Sequence, residues 1–247
     1  VRPGVGTDAV CPSENEISKN KFNPVKVSAQ NDCTTGSVDV SENWWGSASG
    51  PAVNSFVGSA VYIPWCADEG CTLLGYPPVH NMTQDTYFYA IQAAIDAAAA
   101  GDTIKVAPGT YNEALILNKQ NLTVESTGGA ATTIIDVPDG TLTVGVKVLA
   151  NMGTVTFKGF TVRDFTEGGI IQPMSARVGT TFKVLNNIVS PAGGYLRNGI
   201  QVAGDGSVVR GNEITSAFLT DEWSSTAIGV VDASNVTVSG NTITGVG

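Results

Sequence analysis

Between residues 155 and 243 a short pattern recurs, apolar-x-apolar-x-x-Asn-x-apolar, and it constrains the fold more than any other feature of the chain. The matches are Phe182, Val184, Asn187, Val189; then Val209, Asn212, Ile214 with Ser207 in the first apolar place; then Val236, Val238, Asn241, Ile243. The stretch Val155-Thr156-Phe157-Lys158-Gly159-Phe160-Thr161-Val162 keeps the strands but has Phe160 where the others have Asn. The steps from Phe160 to Asn187, Asn212 and Asn241 are 27, 25 and 29 residues. A period in this range, with short alternating strands and a tight turn in each unit, is the signature of a stacked solenoid. Alternation sends Val, Phe and Ile inward to stack on like residues of adjacent coils, while Thr and Ser face out. The turn asks for a residue that tolerates the left-handed conformation and offers an amide, so Asn there predicts a ladder of stacked side chains.

The same pattern stands near the start of the chain, at Val38, Val40, Asn43 and Trp45, with a weaker match at Val10, Asn15 and Ile17. The predicted turn ladder is thus Asn15, Asn43, Asn187, Asn212 and Asn241. Residues 85 to 100 predict an amphipathic helix, capped by Asp85, with Tyr87, Ile91, Ala94, Ile95 and Ala98 on one face and Gly101 at its end. Such a helix would plug the open core of a first coil. Thr103-Ile104-Lys105-Val106 then reads as the first strand, and Asn121-Leu122-Thr123-Val124 opens the next coil.

Composition agrees with this fold class. Only 14% of residues are charged, and the abundance of Gly, Thr, Val, Asn and Ser suits strands and tight turns. A net charge of -9 argues against nucleic acid as a partner and fits an extracellular surface. No apolar run is long enough to span a membrane. The four cysteines, Cys11, Cys33, Cys66 and Cys71, lack metal-site spacing and read as two disulfides, Cys11 with Cys33 and Cys66 with Cys71, outside a reducing cytoplasm. Val1-Arg2-Pro3-Gly4 lacks the basic then apolar run of a signal peptide, so Val1 reads as a processed terminus or the edge of an excised segment.

Two stretches resemble a known family. Residues 90 to 126, from Ala90-Ile91-Gln92-Ala93-Ala94-Ile95-Asp96 through Gly109-Thr110-Tyr111, resemble the opening cap and first coil of pectate-lyase-like right-handed parallel β-helix proteins. The stretch Asn43-Trp44-Trp45-Gly46-Ser47-Ala48-Ser49-Gly50-Pro51 resembles the closing coil of β-helix repeat proteins of archaeal and bacterial cell surfaces. The resemblance implies an all-β right-handed parallel β-helix with one short capping helix, its ending placed before its beginning. The expected layout is terminal coils over 1–58, a disulfide-bearing linker over 59–84, and a helix cap with successive coils over 85–247. Because each end lacks what the other supplies, the expected partners are other copies of the chain, stacked head to tail through one slightly short coil between Asn241 and the next copy's Asn15.

Enzymes of this fold use clustered acids on neighbouring coils, with calcium and a basic residue or as paired carboxylates. The candidates here are Arg163, Asp164, Glu167, Asp205, Arg210, Asp221, Glu222 and Asp232, and their sequence positions do not repeat on one face. They read as solvated turn residues, and the paired Asp and Gln motifs of pectin methylesterases have no evident match. His80, alone of its kind, reads as an exposed linker residue. Three sequons mark Asn81, Asn121 and Asn235 as glycosylation candidates. Trp44 and Trp45 read as one core and one closing-loop residue rather than a sugar platform. The expectation is an extracellular structural protein of a sheath, surface layer or filament, with no catalytic residue, cofactor or metal. A carbohydrate-active or carbohydrate-binding β-helix that takes cell-surface polysaccharide is the alternative, and an adhesin the third reading.

Overall fold

The computed structural model of the chain describes residues 18, 20, 29–30, 38–51, 56–57, 60–61, 63–139, 144–191, 198–216 and 226–245. They belong to two compact units, Val1–Pro77 and Pro78–Gly247.

The larger unit is an all-β solenoid, a parallel β-helix of three sheets. The first stacks Thr103–Val106, Thr123–Ser126, Gly153–Lys158, Thr180–Leu185, Val208–Arg210 and Thr237–Ser239. The second stacks Gly109–Tyr111, Thr133–Asp136, Thr161–Arg163, Ile188–Ser190, Glu213–Ser216 and Thr242–Gly245. The third stacks Leu115–Leu117, Val144–Val148, Gly168–Ile171, Asn198–Val202 and Thr226–Val230. Register sets like over like. Ile104, Val124, Phe157, Val184, Val209 and Val238 form one inward column. Tyr111, Ile135, Val162, Val189, Ile214 and Ile243 form a second. Leu115, Val146, Ile170, Ile200 and Ile228 form the third. Each coil is too thin to bury these side chains by itself, so the core exists only between coils.

One end of this stack is closed. The helix Ile91–Ala97 buries Ile91, Ala94 and Ile95 against it, and the hairpin of Val79–Asn81 with Thr86–Phe88 pairs antiparallel to Thr103–Val106. The helix is shorter than the 85 to 100 expected from periodicity. Residues 86–88 are a strand instead, and Asp85 sits in the hairpin turn at a φ of 51° rather than at a cap. The helix N-terminus is held by Glu113, whose two carboxylate oxygens accept the Ile91 and Gln92 N–H groups at 2.8 Å each. A partner that far along the chain leaves no local capping signal.

In the smaller unit Ala29–Gln30 pairs parallel with Phe56–Val57, and Val38–Asp39 with Ala60–Val61. Trp65–Cys66 pairs antiparallel with Leu74–Gly75. The stretch 59–84, expected as a linker, is therefore shared out: Ala60–Val61 and the Trp65–Gly75 hairpin belong here, Val79–Asn81 to the larger unit. Gly75 in this stretch serves close packing. Trp65 is buried, its Nε1 donates to the Ala48 carbonyl at 3.0 Å, and its ring lies so close over Gly50 and Gly75 that a Cβ at either would overlap it. Cys66 and Cys71 are disulfide-bonded, with Cα atoms 4.7 Å apart, while Cys11 and Cys33 lie outside the described residues.

Candidate functional site

The asparagines fix the turns between the first and second sheets, by a division of labour the sequence pattern hides. The left-handed residue is the one before each ladder position: Gly159, Asn186, Gly211 and Gly240 in the larger unit, Glu42 in the smaller, all with φ between 50° and 81°. The ladder residues themselves are not left-handed, which corrects the expectation that one asparagine does both jobs. Their side chains turn inward. Asn187 and Asn212 are buried, where an amide persists only if its hydrogen bonds are made.

Those bonds run in one direction. The Phe160 N–H donates to Asn187 Oδ1 at 3.0 Å; the Asn187 N–H and Nδ2 donate to Asn212 Oδ1 at 2.9 and 3.1 Å; the Asn212 N–H and Nδ2 donate to Asn241 Oδ1, both at 2.9 Å. Each Nδ2 also donates back to a carbonyl, Asn212 to Val184 at 3.0 Å and Asn241 to Val209 at 2.9 Å. Phe160 can stand in the ladder's first place because only its main-chain donor is needed there, and its ring stacks on Phe157 at 4.6 Å. Ser207, the polar residue in an apolar place, accepts the Phe182 N–H through Oγ at 3.0 Å.

At Asn241 the ladder stops with its donors forward. Among the described residues nothing accepts from the Asn241 main-chain N–H, and the inward columns end uncovered: Val230 is 45%, Val238 46% and Ile243 57% exposed, against complete burial one coil earlier at Val202, Val209 and Ile214. The smaller unit repeats the ladder with the same polarity. The Asn20 N–H and Nδ2 donate to Asn43 Oδ1 at 2.8 and 3.2 Å, and the Asn43 Nδ2 donates to the Val40 carbonyl at 2.7 Å. Asn15 lies outside the described residues; the ladder place under Asn43 is held by Asn20, which the sequence pattern missed because the step is a short 23 residues.

The other candidates scatter. Arg163 projects from the second sheet, Arg210 from the first, and Asp205 and Asp232 lie in turns between the third and first. Asp205 is a structural turn residue: its Oδ1 accepts the Ser234 N–H at 2.7 Å and its carbonyl accepts Thr181 Oγ1 at 2.9 Å. With Asp232, which pairs with Arg177, it lines a cavity of 630 Å³ whose walls include Thr154, Thr181 and Ser234. Glu167 is half-buried before the third sheet, and Asp221 and Glu222 lie outside the described residues. Arg163 does find a carboxylate on an adjacent coil, its Nη2 donating to Asp136 at 2.7 Å, and its sequence neighbour Asp164 lies at 3.4 Å from Nε. The hydrogen bond from Arg163 holds the Asp136 carboxyl below the usual range, whereas the hydrogen bond to Asp136, then burial, raises that of Asp164. Asp136 was invisible as a partner because it lies one coil away.

His80 is not an exposed linker residue. It sits in the strand Val79–Asn81, stacks on Tyr87 at 3.9 Å and contacts Asp85 Oδ1 through Nε2 at 2.9 Å. Asn81 is fully buried, with Nδ2 donating to Asp102 at 2.7 Å and Oδ1 accepting the Thr83 N–H, so a glycan there would break the folded structure. Asn121 and Asn235 are exposed turn residues with φ of 56° and 58°. Trp45 is buried, and Trp44 is half-buried beside the disulfide loop with Glu42, Glu69 and Leu74. Among the described residues no cluster of three or more His, Cys, Asp or Glu is placed to hold a metal ion, and no helix is long and apolar enough to cross a membrane.

These features define a protein of the parallel β-helix class, by fold and not by chemistry. No protein-family model, no curated protein and no solved structure matches the chain.

Proposed function

We propose that this chain is an extracellular structural protein, of the pectate-lyase-like β-helix kind, that builds a sheath, surface layer or filament by stacking end on end with other copies of itself. The observation that carries the reading is the asymmetry of the larger unit. One face is plugged by the Ile91–Ala97 helix, while the last described coil leaves Val230, Val238 and Ile243 exposed in register with the buried Val202, Val209 and Ile214. Exposed apolar side chains beside a row of unpaired strand edges template the addition of further strands. The Cys66–Cys71 disulfide and the acidic surface support an oxidising, extracellular setting. Sedimentation of the purified chain over a wide concentration range tests the reading: association is expected to rise with concentration and to vanish in Val238→Asp and Ile243→Asp. A chain that stays monomeric throughout, with electron micrographs free of filaments, would sink it.

A second reading rests on the Asp136, Arg163 and Asp164 group, where two carboxyls on adjacent coils differ in proton affinity. Such a pair supplies an acid and a base to a glycosidic bond, which would make the protein carbohydrate-active toward a cell-surface polysaccharide. Turnover of acidic polysaccharides, with and without calcium, lost in Asp164→Asn and Asp136→Asn, would replace the structural reading with this one.

A further inference from the structure

We infer that the outer face of the first sheet is a docking surface for a second copy of the chain, met side to side: Lys183 and Arg210 of one copy face the acidic turns between the second and third sheets of another, at Asp139 and Glu167. This rests on the assembly reading and adds to it a contact that joins filaments laterally instead of lengthening them. Both surfaces belong to interior coils of the larger unit, with described coils on either side. The chain is acidic, with a net charge of -9, yet register gathers cations on this one face. Alternate residues of a strand share a side, so Lys105, Glu125, Lys158, Leu185 and Arg210 form one outward column, and Lys183 stands beside it over Thr156 and Thr123. Glu125 is taken by Lys105 and by Lys158, the latter at 3.5 Å. Lys183 and Arg210 have no ion-pair partner among the described residues. With Lys158 they place like charges on three successive coils, which costs free energy that an opposing anionic surface offsets.

The opposing charge is on the same unit. The strand Thr133–Asp136 and the turn after it carry Asp136 and Asp139, and the turn stacked on it, after Thr161–Arg163, carries Asp164 and Glu167. Arg163 is engaged by Asp136 and Asp164, which leaves Asp139 exposed and Glu167 half-buried with no cation among the described residues. After the hydrogen bond to Asp136 and burial, the charge of Asp139 also raises the Asp164 carboxyl, so the acids of the two turns feel one another. Two cationic faces repel, as do two acidic ridges, and only the unlike pair meets favourably. Such a heterologous contact extends from copy to copy instead of closing on a pair. A single contact of exposed charges is weak; repeated along two filaments it holds by avidity, so it appears only once filaments form. A separate acidic polymer would fit the face alone, whereas a second copy accounts for face and ridge together.

The test uses full-length chains with the face reversed, Lys183→Glu with Arg210→Glu, or the ridge reversed, Asp139→Lys with Glu167→Lys. None of the four side chains is buried, so both variants are expected to fold and to form single filaments. Each is expected to lose at least tenfold of the laterally bundled material that the parent pellets at low speed, and the two, preformed separately and then mixed, are expected to bundle again. Salt raised from about 0.1 to 1 M, which cuts the screening length from about 10 to about 3 Å, is expected to disperse the parent's bundles into single filaments. Lys147→Glu, an exposed cation of the third sheet, is the control and should bundle like the parent. If circular dichroism shows a reversed chain misfolded, Lys183→Gln with Arg210→Gln takes its place, with a smaller loss expected. Filaments that never lie side by side, or bundles that salt and both reversals leave intact, overturn this contact and leave end-on assembly standing. Loss on reversal that the mixture does not restore overturns it too, and polygalacturonate bound by the parent but not by the face-reversed chain would then make an acidic polymer the occupant. Absence of any association overturns both readings.

Discussion

At the scale of the residue, the ladder shows how much a single amide can be asked to hold. Asn212 accepts from two atoms of Asn187 and donates to Val184 in the core, and donates to the half-buried Asn241 by two groups. Asn212→Ala strands several of these buried partners and is expected to cost about 2–3 kcal/mol, whereas Asn235→Ala on the surface stays within about 0.5 kcal/mol. Urea titration of the two variants checks the contrast. Asp102 is a second such residue. Burial pushes its carboxyl up, but hydrogen bonds from Asn81 Nδ2, the Ala99 N–H and Gln84 Nε2 outweigh that and hold it below its ordinary value of 3.8. A depressed carboxyl stabilises the fold above its unfolded value, and that contribution is lost as pH falls from 3.8 through the lower folded value. Asp102→Asn is therefore expected to be less stable than the parent at neutral pH, with the gap closing in acid, as unfolding curves across that range would record. Neither role was legible from composition: Asn212 was found because it repeats, and Asp102 was missed because it occurs once.

At the scale of the element, strands were more legible than caps. Alternation located Thr103–Val106 and the coils at residues 182, 209 and 238, since each strand's inward side is written in its own residues. The helix was overextended because Tyr87 has the right spacing for its face, yet pairs with His80 across a hairpin. The helix depends on Glu113 from the next coil, and Glu113→Ala is expected to lose about 1–2 kcal/mol, with loss of far-ultraviolet helix signal at lower temperature than the β signal. Beside it Tyr111, buried and near Glu113, has its hydroxyl pushed up to about 12 and donates to the Ala107 carbonyl at 2.8 Å. In contrast to Asp102, stability from this tyrosine is present below its ordinary value of 10.0 and is lost as pH rises through about 12. Between those values Tyr111 should stay un-ionised in an ultraviolet titration of the folded protein and ionise on unfolding, a step that Tyr111→Phe removes.

At the scale of the whole molecule, two units carry the same ladder with the same polarity, and the end of the larger one is left uncovered. If that end is an interface, Val238→Asp should abolish association while leaving the monomer folded, because its side chain is already 46% exposed and its replacement buries no charge. The matching change at Val209, fully buried one coil earlier, should unfold the protein. Sedimentation and circular dichroism on the pair separate an interface residue from a core residue in the same column. The sequence by itself determined that the chain is a β-helix, since stacking repeats one set of residues in every coil and so prints the period and the inward face in the chain. Only the tertiary structure decided which asparagine stands under Asn43, what caps the helix, and which carboxylates meet Arg163. Those depend on contacts one coil away, and neither the varying coil length nor a partner that occurs once leaves a periodic trace.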